Sequence, residues 1–178
     1  MKCLIPVIIA IIAASRADAG DDQFPIASPS TAVGGPRAGK EFPIVDTPAY
    51  KGAIVPAEEA AQTPCLLKYY QNFWTPTTND IAKAESKLKA YLDSSTDDDA
   101  VRERRKLASF RRQYVGYTAK GEKRILCSFL PGVKPGQDPF VGLRRSFIKV
   151  FDGGPSFWRI DYRVEKDECD NFDVDHGY

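Results

Sequence analysis

Histidine is nearly missing from this chain. Of 178 residues only His176, third from the end, is a histidine. Nucleophilic sites of the Ser–His–Asp or Cys–His kind hold a base rigidly beside the nucleophile, and a fraying terminus is a poor place for one. No Cys-x-x-Cys redox pair occurs. There is no EF-type calcium loop, cofactor motif, internal repeat or heptad pattern, so no cofactor is expected. Carboxylates are plentiful, but Asp152, Asp161 and Asp173 have no spacing that marks an acid–base pair. After Leu4–Ala14 no second long apolar run follows, which excludes a further membrane span.

What is present at the start reads as an export signal. Lys2 is followed by an apolar run, Leu4–Ala14, interrupted only by Pro6, and Ala17-Asp18-Ala19 has the small-x-small form of a cleavage site. A secretory signal peptide over residues 1–19, cut before Gly20, is expected. The apolar core is too short for a membrane anchor, and Cys3 precedes it, unlike a lipid-anchor cysteine. Cleavage removes Lys2, Arg16 and Asp18, after which the basic and acidic residues (25 and 24 in the full chain) are equal in number. A neutral chain is not a general nucleic-acid binder. The expectation is a soluble periplasmic or secreted protein without a membrane span. In that compartment Cys65, Cys127 and Cys169 allow one disulfide and one thiol, in three pairings. Cys127 sits inside a strand pattern as a buried thiol would, so Cys65–Cys169 is the favoured pair.

Residues 20–63 read as a proline-rich linker. Pro25, Pro29, Pro36, Pro43, Pro48 and Pro56 remove backbone donors and interrupt regular structure. The tract is either a spacer or an unstructured N-terminus without a task. A single domain is expected over 64–178. Cys65–Trp74 is densely aromatic, a short helix or an entry segment. Thr77 with Asp80 forms a capping pair, and Ile81, Ala84, Leu88, Tyr91 and Leu92 make one apolar stripe. This predicts an amphipathic helix over Asn79–Leu92, with Lys83, Glu85, Lys87 and Lys89 on its remaining surface. Thr96-Asp97-Asp98-Asp99 starts a second helix, with carboxylates at its positive end rather than around a metal. That helix runs to about Ala108. Its Arg102, Arg104, Arg105 and Lys106, with Arg111 and Arg112, form either a solvated face or a patch for an anionic partner.

Strand patterns follow. Phe110–Thr118 and Arg124–Leu130 flank a turn at Ala119–Glu122 and predict a hairpin. Pro131–Pro139 is a loop. Arg144–Asp152 and Phe157–Val164 predict a second hairpin, turned at Asp152-Gly153-Gly154-Pro155. In its second strand Trp158, Ile160, Tyr162 and Val164 fall on one side and Phe157, Arg159, Asp161 and Arg163 on the other. Phe172 and Val174 alternate with Asp173 and Asp175, which admits a short fifth edge strand whose charges discourage further pairing. The fold class is therefore α+β: one amphipathic helix on an antiparallel meander of four strands, or five, with Trp158, Ile160 and Tyr162 facing the helix.

This helix-then-meander order is similar to the cystatin-like arrangement. The stretches Arg112-Gln113-Tyr114-Val115-Gly116 and Asp152-Gly153-Gly154-Pro155-Ser156-Phe157 also resemble a group of uncharacterised secreted bacterial proteins. Those carry R-Q-Y-x-G and D-G-G-x-x-F motifs and often close on N-G-x-A. Here the chain closes on Asp175-His176-Gly177-Tyr178, a loose match. The resemblance covers about 100 residues, from the main helix onward. It implies a cystatin-like fold and an exported protein, and no known activity. A cystatin-type inhibitor needs a Q-x-V-x-G hairpin tip and a Pro-Trp tip. Gln113–Gly116 is one residue short and lies within a strand, and Pro155 and Trp158 are not adjacent.

Candidate ligand-binding residues are Asp152, Gly153 and Gly154, where backbone without Cβ can approach a ligand, together with Arg111 and Arg144. The plainer reading of Asp-Gly-Gly is a tight hairpin. Asp170, Asp173 and Asp175 are a weaker calcium candidate, against an ordinary exposed acidic edge. The function expected is that of a non-catalytic module binding an envelope or extracellular protein or polymer through the solvent face and turns of a curved sheet. The alternatives are a small hydrolase or other enzyme on a cystatin-like or cone-shaped scaffold, which needs an enclosed pocket, and, more weakly, a protease inhibitor.

Overall fold

A computed structural model describes residues 40–150 and 153–175. The expected signal peptide, the proline tract up to residue 39, Asp152 and His176 lie outside the described residues. The main helix, α3 (Thr78–Ser94), starts where its capping pair places it. Thr77 Oγ1 accepts from the Asp80 N–H at 3.2 Å, and Asp80 Oδ2 accepts from the Thr77 N–H at 2.9 Å. Together they satisfy two otherwise unpaired donors of the first turn. Ile81, Ala84, Leu88 and Leu92 are buried as the stripe requires. Glu85 is buried with them, although the sequence pattern groups it with the exposed lysines. The second helix, α4 (Asp98–Arg104), is capped by Asp97, whose carboxylate accepts from the Ala100 N–H at 3.0 Å. It ends four residues before Ala108.

The fold is α+β, but its sheet is larger than the expected meander and is mixed. Six strands, β1 (Ile44–Asp46), β2 (Lys51–Val55), β3 (Arg111–Ala119), β4 (Glu122–Leu130), β5 (Trp158–Arg163) and β6 (Glu168–Val174), lie side by side in sequence order. All neighbours are antiparallel except β2 and β3, which run parallel with Ile54 opposite Tyr114. A parallel pair needs a long crossover. Here α1 (Ala57–Ala60), α2 (Pro64–Leu67), α3 and α4 supply it.

Two expectations are corrected. The region assigned to a linker supplies two strands from residue 44 on, and the sheet begins 20 residues before Pro64. Its prolines punctuate rather than prevent pairing. Pro43 and Pro48 flank β1, Pro56 follows β2, and the proline-free Ala53-Ile54-Val55 is fully buried between them. Second, Arg144–Val150 is not a strand, and β4 pairs directly with β5, Phe129 opposite Trp158. Adjacent Phe147 and Ile148 both pack on the same cluster, which an alternating strand cannot do. Gln113, wholly buried in β3, holds this segment as a loop: its Nε2 donates to Ser146 O at 2.7 Å and its Oε1 accepts from the Ile148 N–H at 2.7 Å. The fifth strand admitted at the C-terminus is present as β6.

The sheet is covered on both faces. On one, α3 packs over Ile54, Tyr114, Ile125, Trp158 and Ile160. On the other, Leu66 of α2 and the loop residues Leu143, Phe147 and Ile148 cover Val115, Leu126 and Leu130. The motif Arg112-Gln113-Tyr114-Val115-Gly116 is thereby explained as packing chemistry. Arg112, with no exposed surface, lies with Nε 2.8 Å from Glu85 Oε1, and the same oxygen accepts from the Tyr114 hydroxyl at 2.7 Å. Gly116 admits Trp74, whose backbone N–H donates to Gly116 O at 3.0 Å. A Cβ on Gly116 would stand 2.3 Å from Trp74 O. Gly116→Ala is therefore expected to cost about 1–3 kcal/mol through overpacking, read as a lowered urea midpoint at unchanged slope.

The three described cysteines are free thiols, correcting the expected Cys65–Cys169 bridge. Cys65 packs on the loop-covered face of the sheet and Cys169 on the helix-covered face, so the sheet stands between them. Cys127 and Cys169 share a face but are separated by β5. Two strand spacings, about 9–10 Å, exceed the Cα separation that a disulfide spans.

Candidate functional site

Alternation in β5 directs Trp158, Ile160 and Tyr162 to the helix and leaves Arg159, Asp161 and Arg163 on the opposite face. The segment that follows α2 and the end of the 131–150 loop border these residues, with Arg159 exposed and Asp161 buried among them. A cleft of about 510 Å³ lies between Tyr69, Tyr70, Phe147, Lys149, Arg159 and Asp173. A hollow of about 390 Å³ shares Tyr69, Tyr70, Arg159 and Asp173 with it and adds Tyr117, Asp161 and Asn171. A further hollow of about 420 Å³ shares Tyr117 and Asn171 and reaches Glu122, Arg124 and Arg163. Successive hollows with common walls make a trough along β5, whose six residues span roughly 20 Å.

One wall is a row of tyrosines. Tyr69 and Tyr70 have ring centroids 6.3 Å apart, and Tyr70 and Tyr117 4.6 Å apart. Tyr69 is 54 % exposed, with Lys149 Nζ 4.6 Å from its ring centre. The Lys68 and Lys149 ammonium groups hold its phenol below the usual range. Burial pushes the phenols of Tyr70 and Tyr117 up, so these two stay neutral donors.

The floor is a ladder of compensated charges. Arg159 Nη2 lies 2.6 Å from Asp173 Oδ2, and Arg124 Nη1 lies 2.8 Å from Asp170 Oδ1. Arg163 reaches both Glu122, at 2.7 Å, and Glu168, at 2.9 Å. Asp161 differs from the rest. It is 6 % exposed, its Oδ2 accepts from Asn171 Nδ2 at 2.9 Å, and Arg124 stands 3.7 Å away. The Tyr117 phenol also interacts with the carboxyl, whose Oδ1 is fully enclosed. Burial raises the Asp161 pKa, opposed by Asn171, Tyr117 and Arg124. Asn171 reaches it because β6 is irregular here: the register shifts between Arg159 and Asp161, and Asn171 has φ +53°. Asparagine tolerates that left-handed backbone, and such irregularities re-aim side chains.

The residues singled out in the sequence are used elsewhere. Arg111 clamps the loop, donating to Pro131 O at 2.9 Å and Val141 O at 3.0 Å. Arg144 lies 3.5 Å from Asp138 and over the Phe140 ring. Gly153 donates its N–H to Asp175 Oδ2 at 3.1 Å, and a Cβ there would meet the Phe157 ring at 2.3 Å. Gly154 has φ +66° and opens a short 3₁₀ turn, Gly154–Ser156, rather than a hairpin tip. These glycines serve close packing and turn geometry. Asp170, Asp173 and Asp175 are each engaged by a different donor, Arg124, Arg159 and the Gly153 N–H. Among the described residues no group of three His, Cys, Asp or Glu is arranged to hold a metal. The basic patch is also dispersed: Arg102 pairs with Asp99 and Glu103, Arg104 donates to Asp93 O, and Arg112 is buried. The trough residues Tyr69, Tyr70, Arg159 and Asp161 went unassigned. The signal for Arg159 and Asp161 was the alternation of β5 opposite the acidic β6; for the two tyrosines it was exposure, which periodicity does not report.

The fold and this face define an α+β domain with a six-stranded mixed sheet and an open aromatic and charged trough. Comparison with known proteins finds no matching family model, no matching curated protein and no matching solved structure. Among the described residues no helix is long and apolar enough to cross a membrane.

Proposed function

We propose that this chain is an exported, periplasmic or secreted, non-catalytic module that binds an envelope or extracellular protein or polymer, on a helix-and-sheet scaffold similar to the cystatin-like arrangement. The observation that carries the reading is the trough along β5, with exposed Tyr69 and half-buried Tyr70 on its wall and Tyr117 buried behind them. Enzyme sites enclose their substrates to exclude water, whereas an open trough suits an extended partner laid along the sheet.

Capture from envelope extract by the immobilised mature protein, with mass spectrometry and sugar analysis of what is retained, tests this. A partner that is retained by the parent protein and lost with Tyr69→Ala supports it. Tyr69 is exposed, so the substitution should leave thermal unfolding within about 0.5 kcal/mol. A partner retained equally by the variant would place binding elsewhere and sink the proposal.

A further inference from the structure

We infer that Asp161 is a proton-sensitive latch for the edge strand β6. The strand is held firmly while the Asp161 carboxyl is neutral and opens more readily once it is ionised. Asn171 and Asp173 of β6 form one side of the middle hollow, so that side of the trough is firmer in acid than at neutral pH, whatever occupies it.

The latch sits where β6 breaks its register. Asp161 stands opposite Asp170, directly beside the shift, and Asn171 turns its amide back to donate to Asp161 Oδ2 at 2.9 Å. The carboxyl is covered in this way and is only 6 % exposed. Its charged and titratable neighbours come from every element around it. Tyr117 approaches from β3, Arg124 from β4 and Asp170 from β6. Tyr70, from the segment after α2, and the bridged pair Arg159 and Asp173 line the same hollow. The arginine that faces Asp161 is shared among three carboxylates. Arg124 Nη1 lies 2.8 Å from Asp170 and 3.7 Å from Asp161, and its Nη2 lies 3.6 Å from Glu122. Asp161 has the longest of these contacts, and its remaining partners, Asn171 and Tyr117, are neutral donors. Burial pushes the Tyr70 and Tyr117 phenols up, so neither takes a charge as the carboxyl titrates. A buried carboxylate compensated so incompletely favours its protonated form. Burial accordingly raises the Asp161 pKa above its ordinary 3.8, against the opposing pull of Asn171, Tyr117 and Arg124. Opening β6 withdraws Asn171 and admits water, which favours the ionised form. A carboxyl raised in the closed state stabilises closure below its open-state pKa, and that contribution is lost as pH rises through the closed-state value. As the outermost strand of the sheet, paired with β5, β6 can open without disturbing the centre.

Two measurements on the mature protein test this. Hydrogen exchange from near pH 4 to near pH 8, corrected for the intrinsic exchange rate, reads the opening of β6, and carboxyl-detected NMR reads the titration of Asp161. Asp161 should titrate above the ordinary carboxylate range. Protection of β6 should fall with rising pH, by up to about tenfold for each pH unit that the Asp161 midpoint is raised. The central strands β3 and β4 set the background, which includes the contribution of Glu85. Asp161→Asn keeps the side-chain size and cannot ionise, so it should abolish the β6 dependence and leave β6 better protected than in the parent near pH 8. Asp170→Asn leaves Arg124 to Asp161, and should lower the Asp161 midpoint and flatten the dependence. Asp173→Asn, exposed and bridged to Arg159, should preserve it. A β6 dependence that persists in Asp161→Asn overturns the latch. An Asp161 midpoint at or below the ordinary carboxylate value in the parent protein does so without any variant. A loss of protection shared equally by β3 and β4 also overturns it, because the opening is then that of the whole domain.

Discussion

Arg112→Ala should destabilise the protein by about 3–5 kcal/mol, the range for breaking a buried ion pair from one side. Arg112 joins three parts of the fold at once. Its Nε meets Glu85 of α3, its Nη1 donates to Phe110 O at 2.7 Å, and its Nη2 donates to Leu107 O at 3.2 Å. Its guanidinium also lies 5.1 Å from the Phe129 ring centre. Removing it leaves Glu85 buried with only the Tyr114 hydroxyl as donor, and takes a guanidinium donor from the Phe110 and Leu107 carbonyls. The deficit should depend on pH in a fixed direction. Burial already raises the Glu85 pKa above its ordinary 4.5, and Arg112 pulls it back. A carboxyl raised in the folded state contributes stability below its unfolded pKa, and that contribution is lost as pH rises through the folded value. Without Arg112 the folded pKa goes higher still. The variant should therefore approach the parent protein near pH 4 and fall furthest behind near pH 8, measured by urea titration at both. Glu85→Gln added to Arg112→Met should recover part of the loss, because two matched neutral groups replace one stranded charge. A deficit that is the same at both pH values would show that Glu85 does not carry the effect.

The same pair shows where the sequence could be read and where it could not. The capping box at Thr77, the stripe Ile81–Leu92 and the alternation from Trp158 to Tyr162 are local patterns, and each emerged in the predicted place. Glu85 interrupts the stripe with a charge, and a helical pattern alone sends a charge to solvent. Only the strand that brings Arg112 and Tyr114 beneath it makes burial affordable, and that partner lies about 27 residues away. The linker reading of residues 40–63 failed for a related reason. Proline density averages over a tract, while β2 needs only the five residues Lys51–Val55 free of proline. Its pairing with β3 is also parallel and distant. Gln113 likewise explains Arg144–Val150: the apolar content was visible, but the side chain that holds it as a loop belongs to another strand. The charged face of β5 was legible, yet the tyrosines beside it follow α2, distant in sequence from β5.

Trp158→Ala should cost about 3–5 kcal/mol, the usual loss for deleting a large buried aromatic, and lower the melting temperature by at least about 10 °C. The indole is 3 % exposed and stacks on Phe129 with ring centres 3.5 Å apart and planes 4° from parallel. Phe110 meets it edge-on at 5.6 Å, and Phe172 of β6 packs at 5.5 Å. It thus ties β4, β5, β6 and the entry to β3 on the helix side. Trp158→Phe should cost far less, about 1 kcal/mol, because the stacked ring remains. It also removes the indole N–H, which is buried without a hydrogen-bond partner. The consequence reaches the trough. A one-residue slip of a strand exchanges its two faces, and Trp158 fixes which face of β5 meets the helix. If its anchoring is lost, Arg159 and Asp161 lose their fixed place on the open side. Trp158→Ala should therefore weaken retention of the trough's partner even at a temperature where the variant remains folded, while Trp158→Phe binds like the parent. Equal stability of the alanine and phenylalanine variants would mean that the stack does not hold β5 in register.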